Sequence, residues 1–205
     1  MRRITLAVPL VCCMLWALGC AEPPSDQIQA AEQAVKDAQA SGAGTYLAED
    51  YAKLEGMLAA LKKEVSDQEG KFSLLRDYGN AEQLAVGTKA EAERVKTEAM
   101  KKMEEAKFAA TQAHQSAQDT VKSMLELVSR APAGKDRAAL ESIKADADVL
   151  KASLNEVQVM IDKSDFLGAQ TKAQAIQDKA QALSQEIETA LAKIGKGKSS
   201  SAKKK

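Results

Sequence analysis

Histidine, tryptophan, aromatic residues and net charge are all in short supply in this chain. Of 205 residues, His114 is the only histidine, Trp16 the only tryptophan, and aromatics make up 3%. A single imidazole cannot build a histidine metal cluster or work beside a second one in acid–base chemistry. Three cysteines, Cys12, Cys13 and Cys20, are too few for a disulfide scaffold. Lysine plus arginine number 29 and aspartate plus glutamate number 29, so the formal charge is zero. A dedicated nucleic-acid binder needs a basic surface that displaces counterions from phosphates, and neutrality argues against one. No glycine-rich phosphate loop, nucleophile elbow or paired acid–base constellation occurs, so an enzyme is not expected. What the chain does have is apolar content, 45% of residues, much of it alanine. Its length suits one domain or two small ones.

Residues 1–19 read as an export leader. Met1, Arg2 and Arg3 give a positive start, and residues 4–18 are apolar apart from Thr5. That stretch is short for a membrane span and fits the apolar core of a secretory signal. It ends Trp16-Ala17-Leu18-Gly19-Cys20 and turns polar at Ala21-Glu22-Pro23-Pro24-Ser25-Asp26. The junction resembles the lipobox of bacterial lipoproteins, with Gly19 before a cleavage-point cysteine and Ala17 where leucine is usual. The resemblance implies that Cys20 carries thioether-linked diacylglycerol and becomes the mature N-terminus. The alternative is an ordinary signal peptide with an incidental Cys20. By the same resemblance Ala21 reads as an outer-membrane address, on the periplasmic face. Two or more acyl chains anchor a protein stably, because each buried CH₂ contributes about 0.8 kcal/mol. Twin-arginine export fits less well, since Arg2-Arg3-Ile4-Thr5-Leu6 lacks the polar lead-in of that signal. With the leader removed and Cys20 acylated, neither a free thiol nor a tryptophan remains.

Beyond the leader, apolar residues recur at alternating steps of three and four, the seam of packed antiparallel helices or coiled coils. A first helix follows Asp26, which can form a capping box with Gln29; its stripe is Ile28, Ala31, Val35, Ala38. Ser41-Gly42-Ala43-Gly44 ends it, glycine being cheap in the left-handed cap conformation. A second helix opens near Thr45 and carries Leu47, Tyr51, Leu54, Leu58, Leu61 and Val65 before Gly70. A third, residues 77–130, contains no proline and would be roughly 80 Å long at 1.5 Å per residue. Its stripe runs through Tyr78, Ala81, Ala85, Thr88, Ala92, Val95 and Ala99. It continues through Met103, Ala106, Ala110, Ala113, Ala117, Val121, Met124 and Val128. Consecutive steps of four at 95-99-103 and 113-117-121 straighten the supercoil. Ala131-Pro132-Ala133-Gly134 stops this helix. A fourth carries Leu140, Ile143, Ala147, Leu150, Leu154, Val157 and Ile161. Ser164 or Asp165 caps a fifth, with Phe166, Ala169, Ala173, Ile176, Ala180, Leu183, Ile187, Ala190 and Ile194 in its seam and Gly195 at its end.

A weak internal repeat aligns Asp77-Tyr78-Gly79-Asn80-Ala81 with Asp165-Phe166-Leu167-Gly168-Ala169, at an offset of 88 residues. The expectation is an all-α fold of elongated antiparallel hairpins or three-helix bundles sharing one long central helix. Its parts are a leader (1–19), a lipidated cysteine and linker (20–25), two helical units (26–100 and 101–195) and a disordered basic tail (196–205). Ala40-Ser41-Gly42-Ala43, Tyr46-Leu47-Ala48-Glu49-Asp50 and Asp77-Tyr78-Gly79-Asn80-Ala81 resemble a family of small alanine-rich lipoproteins of Gram-negative bacteria. That family consists of tetratricopeptide-like hairpins of unknown function, sometimes found beside OmpA-like peptidoglycan-binding domains. The match covers roughly residues 26–100, is compositional, and bears on fold and location only; Ala48 replaces the proline that often follows the Tyr-Ala pair.

Among polar candidates, His114 lies one residue past the seam position Ala113, and a solvated or boundary imidazole is expected there. Met100 and Met103 read as gap-filling packing beside Lys101 and Lys102. Glu104-Glu105, Glu91 with Glu93, and Asp146 with Asp148 read as solvated helix faces, because adjacent and alternating helix residues do not face one another. No metal site is expected, and no cofactor beyond the lipid on Cys20. The tail lysines Lys196, Lys198, Lys203, Lys204 and Lys205 stand out. They read either as a solubilising terminus or as a contact for anionic surfaces such as peptidoglycan carboxylates. Braun-type lipoproteins also run from a lipidated cysteine through alanine-rich heptads to a terminal lysine joined to peptidoglycan. That resemblance implies a linking role for Lys205, although this chain lacks the aromatic–basic ending of that family.

Neutrality hides a partition. Of the 29 basic residues, Arg2 and Arg3 lie in the leader and five lysines in the tail, leaving 22 bases against all 29 acids. An acidic helical body thus separates an acylated start from a cationic end. Three roles compete: an envelope scaffold or adaptor, an accessory subunit regulating a membrane or wall enzyme, and a stress-protective amphipathic protein. The membrane is the expected partner through the lipid, peptidoglycan a candidate, and no nucleic acid is expected. Alanine seams bury little area, so oligomerisation or a protein partner is an open source of further stability.

Overall fold

A computed structural model describes residues 22–130 and 137–202. The regular elements are α1 (Ser25–Ala40), α2 (Ala43–Tyr46), α3 (Ala48–Glu69), α4 (Gly79–Arg130), α5 (Arg137–Asp162) and α6 (Phe166–Ala202), with a 3-10 turn at Ser73–Leu75. The fold is all-α, as the seam periodicity implies. It divides into two compact units, one ending at Lys102 and the other beginning at Met103, and α4 supplies a segment to each.

In the first unit, α1, α3 and the first part of α4 pack around two adjoining apolar clusters. One holds Ala31, Leu61, Tyr78, Ala81 and Ala85, with Ile28 and Val65 packed against it. The other holds Val35, Ala38, Ala43, Leu54, Ala92, Val95 and Ala99. Most of these residues are alanines, which let neighbouring helices approach closely. Leu54, Leu61 and Val95 are the large, fully buried side chains that fill what alanine leaves.

Local chemistry sets the element ends. α1 begins two residues earlier than the capping box predicts. Pro24 stands at its N-cap without a side-chain cap, and Ile28 N–H donates to the Pro24 carbonyl at 3.0 Å. Asp26 therefore lies in the first turn, where its charge opposes the positive end of the helix dipole. α1 ends at Ala40, and the chain turns away at Gly42, whose φ of 86° lies in the left-handed region that glycine enters without a Cβ penalty. The single predicted second helix is in fact two, because Leu47 breaks it with φ −141°.

The second unit comprises the rest of α4 with α5 and α6, and all three helices contribute buried residues. Ala110, Ala117, Val121 and Met124 come from α4, Ala147, Leu150 and Val157 from α5, and the predicted seam of α6 is buried from Phe166 to Ile187. The predicted seam positions Leu140, Ala190 and Ile194 lie outside the side chains described. α5 and α6 pack against each other around a tight corner. Ser164 adopts φ 63° there, and Asp165 caps α6 by accepting the Gly168 N–H at 3.1 Å. A Cβ on Gly168 would meet Met160 Cε at 2.6 Å and the Asp165 carboxylate, so a larger residue here would displace both side chains. Asp77 plays the same local part in the first unit, accepting the Gly79 N–H at 2.9 Å. The aromatic that follows each aspartate, Tyr78 or Phe166, is buried.

Two further expectations are corrected. The second pair of four-residue steps in α4 falls at 106-110-114, so His114 is buried while Ala113 is only partly so. An earlier phase shift carries the seam onto the histidine, which an apolar pattern passes over. In addition, α6 does not stop at Gly195; its backbone stays helical to Ala202, across a segment expected to be disordered. Glycine costs a helix about 1 kcal/mol relative to alanine but keeps its N–H, so Gly195 and Gly197 weaken α6 without terminating it.

Truncating a fully buried leucine removes contacts that the surrounding alanines cannot replace. Leu61→Ala is expected to cost about 2–5 kcal/mol in urea denaturation followed by circular dichroism. Phe108→Ala, at a side chain 71% exposed, is expected to change stability by less than about 0.5 kcal/mol.

Candidate functional site

Cys20, Lys203, Lys204 and Lys205 lie outside the described residues, and Lys196 and Lys198 lie on the helical backbone of α6. The remaining sequence candidates do not gather into one place. Met100 is exposed and Met103 partly buried, while Glu104 and Glu105 are exposed on α4. Glu93 lies 3.9 Å from Lys89, and Asp148 lies 3.5 Å from Lys151, each within one helix. His114 is 7% exposed, and the Gln118 amide nitrogen lies 3.2 Å from its Nε2. One turn of α4 thus supplies the imidazole with its own partner. Among the described residues, no three of His, Cys, Asp and Glu converge in a way that could hold a metal ion.

Ion pairs link each pair of long helices in the first unit. Lys62 joins Glu32 at 2.9 Å, α3 to α1. Lys96 joins Asp37 at 3.3 Å, α4 to α1. Arg94 reaches Asp50 at 3.5 Å, α4 to α3. Arg94 also donates twice to Glu91, at 2.7 and 3.0 Å, and to Glu98 at 2.6 Å. In the second unit, Lys179 pairs with Asp146 at 3.2 Å and Lys172 with Glu156, both between α5 and α6. Glu91 and Asp146, which the sequence presents as solvated carboxylates, therefore each pair with a cation, Arg94 and Lys179 respectively.

These partners shift titration. The hydrogen bond from Lys62 lowers the Glu32 carboxyl, that from Gln33 and then Lys96 lowers Asp37, and that from Arg94 lowers Glu91. Burial, reinforced by Glu55, raises the Tyr51 phenol. Tyr51 lines an open groove between α1 and α3 together with Val35, Leu58, Glu32, Glu55 and Lys62.

The connection from α3 to α4 holds the most distinctive surface, which the sequence reading did not single out. Gln68, 7% exposed, organises it. Its amide nitrogen donates to Glu64 at 2.8 Å, and its oxygen accepts the Lys71 ammonium at 3.0 Å and the Asp77 N–H at 3.1 Å. Arg76 donates to the Glu69 and Lys71 carbonyls at 2.8 and 3.1 Å, satisfying the exposed end of α3. The 3-10 turn held between them carries Phe72, Leu74 and Leu75, which are 69%, 66% and 71% exposed. The missed signal is the run Lys71-Phe72-Ser73-Leu74-Leu75-Arg76, apolar residues off the seam between two cations.

Lowered carboxylate pKa values contribute stability that is present above the unfolded values, 4.5 for glutamate and 3.8 for aspartate. That contribution is lost as pH falls through the folded values. The melting temperature is therefore expected to hold between neutrality and about pH 5 and to fall below about pH 4.5, less steeply in high salt. Gln68→Ala removes the acceptor of the Asp77 N–H, a part-buried hydrogen bond; a cost of about 0.5–1.5 kcal/mol in urea melts is expected.

No family model, curated protein or solved structure matches this chain, so its site stands on its own geometry.

Proposed function

We propose that this protein is a lipid-anchored helical scaffold or adaptor of the bacterial cell envelope. In this reading it is held through Cys20 to the periplasmic face of the outer membrane. The observation that carries it is the position of the lipobox-like Leu18-Gly19-Cys20, with Cys20 only five residues before the first residue of α1. A chain acylated there places folded helices directly at the membrane, with no long spacer. The charge partition supports a second contact: the helical body has an excess of acids, while residues 196–205 carry five lysines and no acid. Such a segment suits the carboxylates of peptidoglycan, with electrostatic attraction that salt weakens.

The acylated protein is expected to co-sediment with purified peptidoglycan at low salt, and deletion of residues 196–205 to lower the bound fraction severalfold. A protein that stays in the supernatant under both conditions overturns the wall contact. In-cell crosslinking from exposed positions of α4, such as Phe108, separates the scaffold from its rival. A single stoichiometric protein partner with no wall binding would make this chain an accessory subunit instead.

A further inference from the structure

The exposed apolar side chains of α4, α5 and α6 are scattered singly: Val86, Met100, Phe108, Val149, Val159 and Leu167. Isolated apolar residues of this kind are ordinary on a protein surface. Phe72, Leu74 and Leu75 differ, because they fall within four residues on one turn. That turn is not slack chain. Leu75 N–H donates to the Phe72 carbonyl at 2.8 Å, and the Gln68 and Arg76 hydrogen bonds fix both of its flanks. The fold therefore holds three large apolar groups out in water.

The position of the turn says what covers it. α1 and α3 run antiparallel, and Ile28, near the start of α1, packs in the same cluster as Val65, near the end of α3, and Tyr78, at the start of α4. The beginning of α1 and the 72–75 turn therefore share one end of the first unit. Ser25 is the fifth residue after Cys20, and an extended chain spans at most about 3.6 Å per residue, or roughly 18 Å over five steps. The backbone of Cys20 can thus stand no farther than about 18 Å from Ser25, whose helix begins at this end.

We propose that Phe72, Leu74 and Leu75 form a bilayer-inserting tip, which enters the headgroup–acyl boundary beside the lipid on Cys20 and fixes how the first unit stands on the membrane. The inference rests on the anchoring proposed above and adds to it a second, non-covalent contact. Side-chain chemistry agrees. Phenylalanine and leucine partition into the interface, while Lys71 and Arg76, hydrogen-bonded back to Gln68 and to the Glu69 and Lys71 carbonyls, put positive charge at the base of the turn, which suits anionic headgroups. A lipid anchor alone leaves a protein free to swivel on its linker; a lipid anchor with an apolar tip defines a footprint.

The test uses the acylated protein carrying Phe72→Trp, reconstituted into vesicles of phosphatidylethanolamine and phosphatidylglycerol. The mature chain has no other tryptophan, so indole emission reports the tip alone. Mass spectrometry reads the acyl chains, sedimentation reads attachment, and circular dichroism reads folding. Expected is a blue-shifted emission quenched by lipids brominated in the acyl chains. Adding Leu74→Asp and Leu75→Asp is expected to abolish the quenching while the protein stays on the vesicles. An attached, folded protein whose indole keeps its aqueous emission overturns the tip and leaves the anchor standing. A mature protein without acyl chains overturns the anchor and this proposal with it. An indole shielded only when envelope proteins are added assigns the tip to a protein partner and overturns the lipid assignment.

Discussion

Close packing through alanine is the constraint on which both units depend. A methyl side chain lets two helix backbones approach near the lower end of the usual 8–10 Å range, but it removes little apolar area from water. Stability then falls to the few positions where a large side chain is wholly enclosed: Leu54, Leu61 and Val95 in the first unit, Met124 and Val157 in the second. An alanine seam is also poor at specifying register, because one methyl resembles the next. The Leu54 and Leu61 side chains, seven residues apart on α3, give the first unit the shape that alanine withholds.

Charge supplies the rest of the register. Exposed ion pairs stabilise weakly, since solvent screens them and ordering long side chains costs entropy. Their placement matters more than their strength. Glu32–Lys62, Asp37–Lys96 and Asp50–Arg94 connect all three helix pairs of the first unit, and a slip of either α3 or α4 by one turn breaks two of them. Asp146–Lys179 and Glu156–Lys172 do the same for α5 against α6. Buried polar groups add a further mark. Thr88 lies fully buried in the α4 seam with no hydrogen-bond partner among the described residues, and His114 occupies the seam farther along.

Much of the fold was legible because the seam is strict. Ala81, Ala85, Thr88, Ala92, Val95 and Ala99 are each buried where alternating steps of three and four place them, and Gly42 turns the chain after α1 in the left-handed conformation expected of it. Legibility failed where a rule about residue type competed with phase. The apolar stripe passes through Ala113, whereas the buried positions run 106, 110 and 114, so the seam falls on a polar residue that a hydrophobic pattern steps over. Asp26 was read as a cap from its spacing to Gln29, yet Pro24 begins the helix sooner. Of the surface, the sequence showed charges but not their partners. Nothing in the spacing of Gln68 and Asp77 reveals that one side chain closes the connection between them. Phe72, Leu74 and Leu75 belong to no periodic stripe, so a reading based on periodicity passes over them.

Gln68 also binds two processes that would otherwise be separate. A loop of free chain loses about 1–2 kcal/mol of backbone entropy per residue when a surface fixes it. Here that ordering is complete before any encounter, because the last turn of α3 supplies both the amide that accepts the Asp77 N–H and the Glu69 carbonyl that accepts from Arg76. The display of the apolar turn is therefore a property of a helix terminus, the part of a helix that opens most readily. Fraying at Gln68 and Glu69 and collapse of the turn are one event, and contact at the turn in return holds the end of α3 closed.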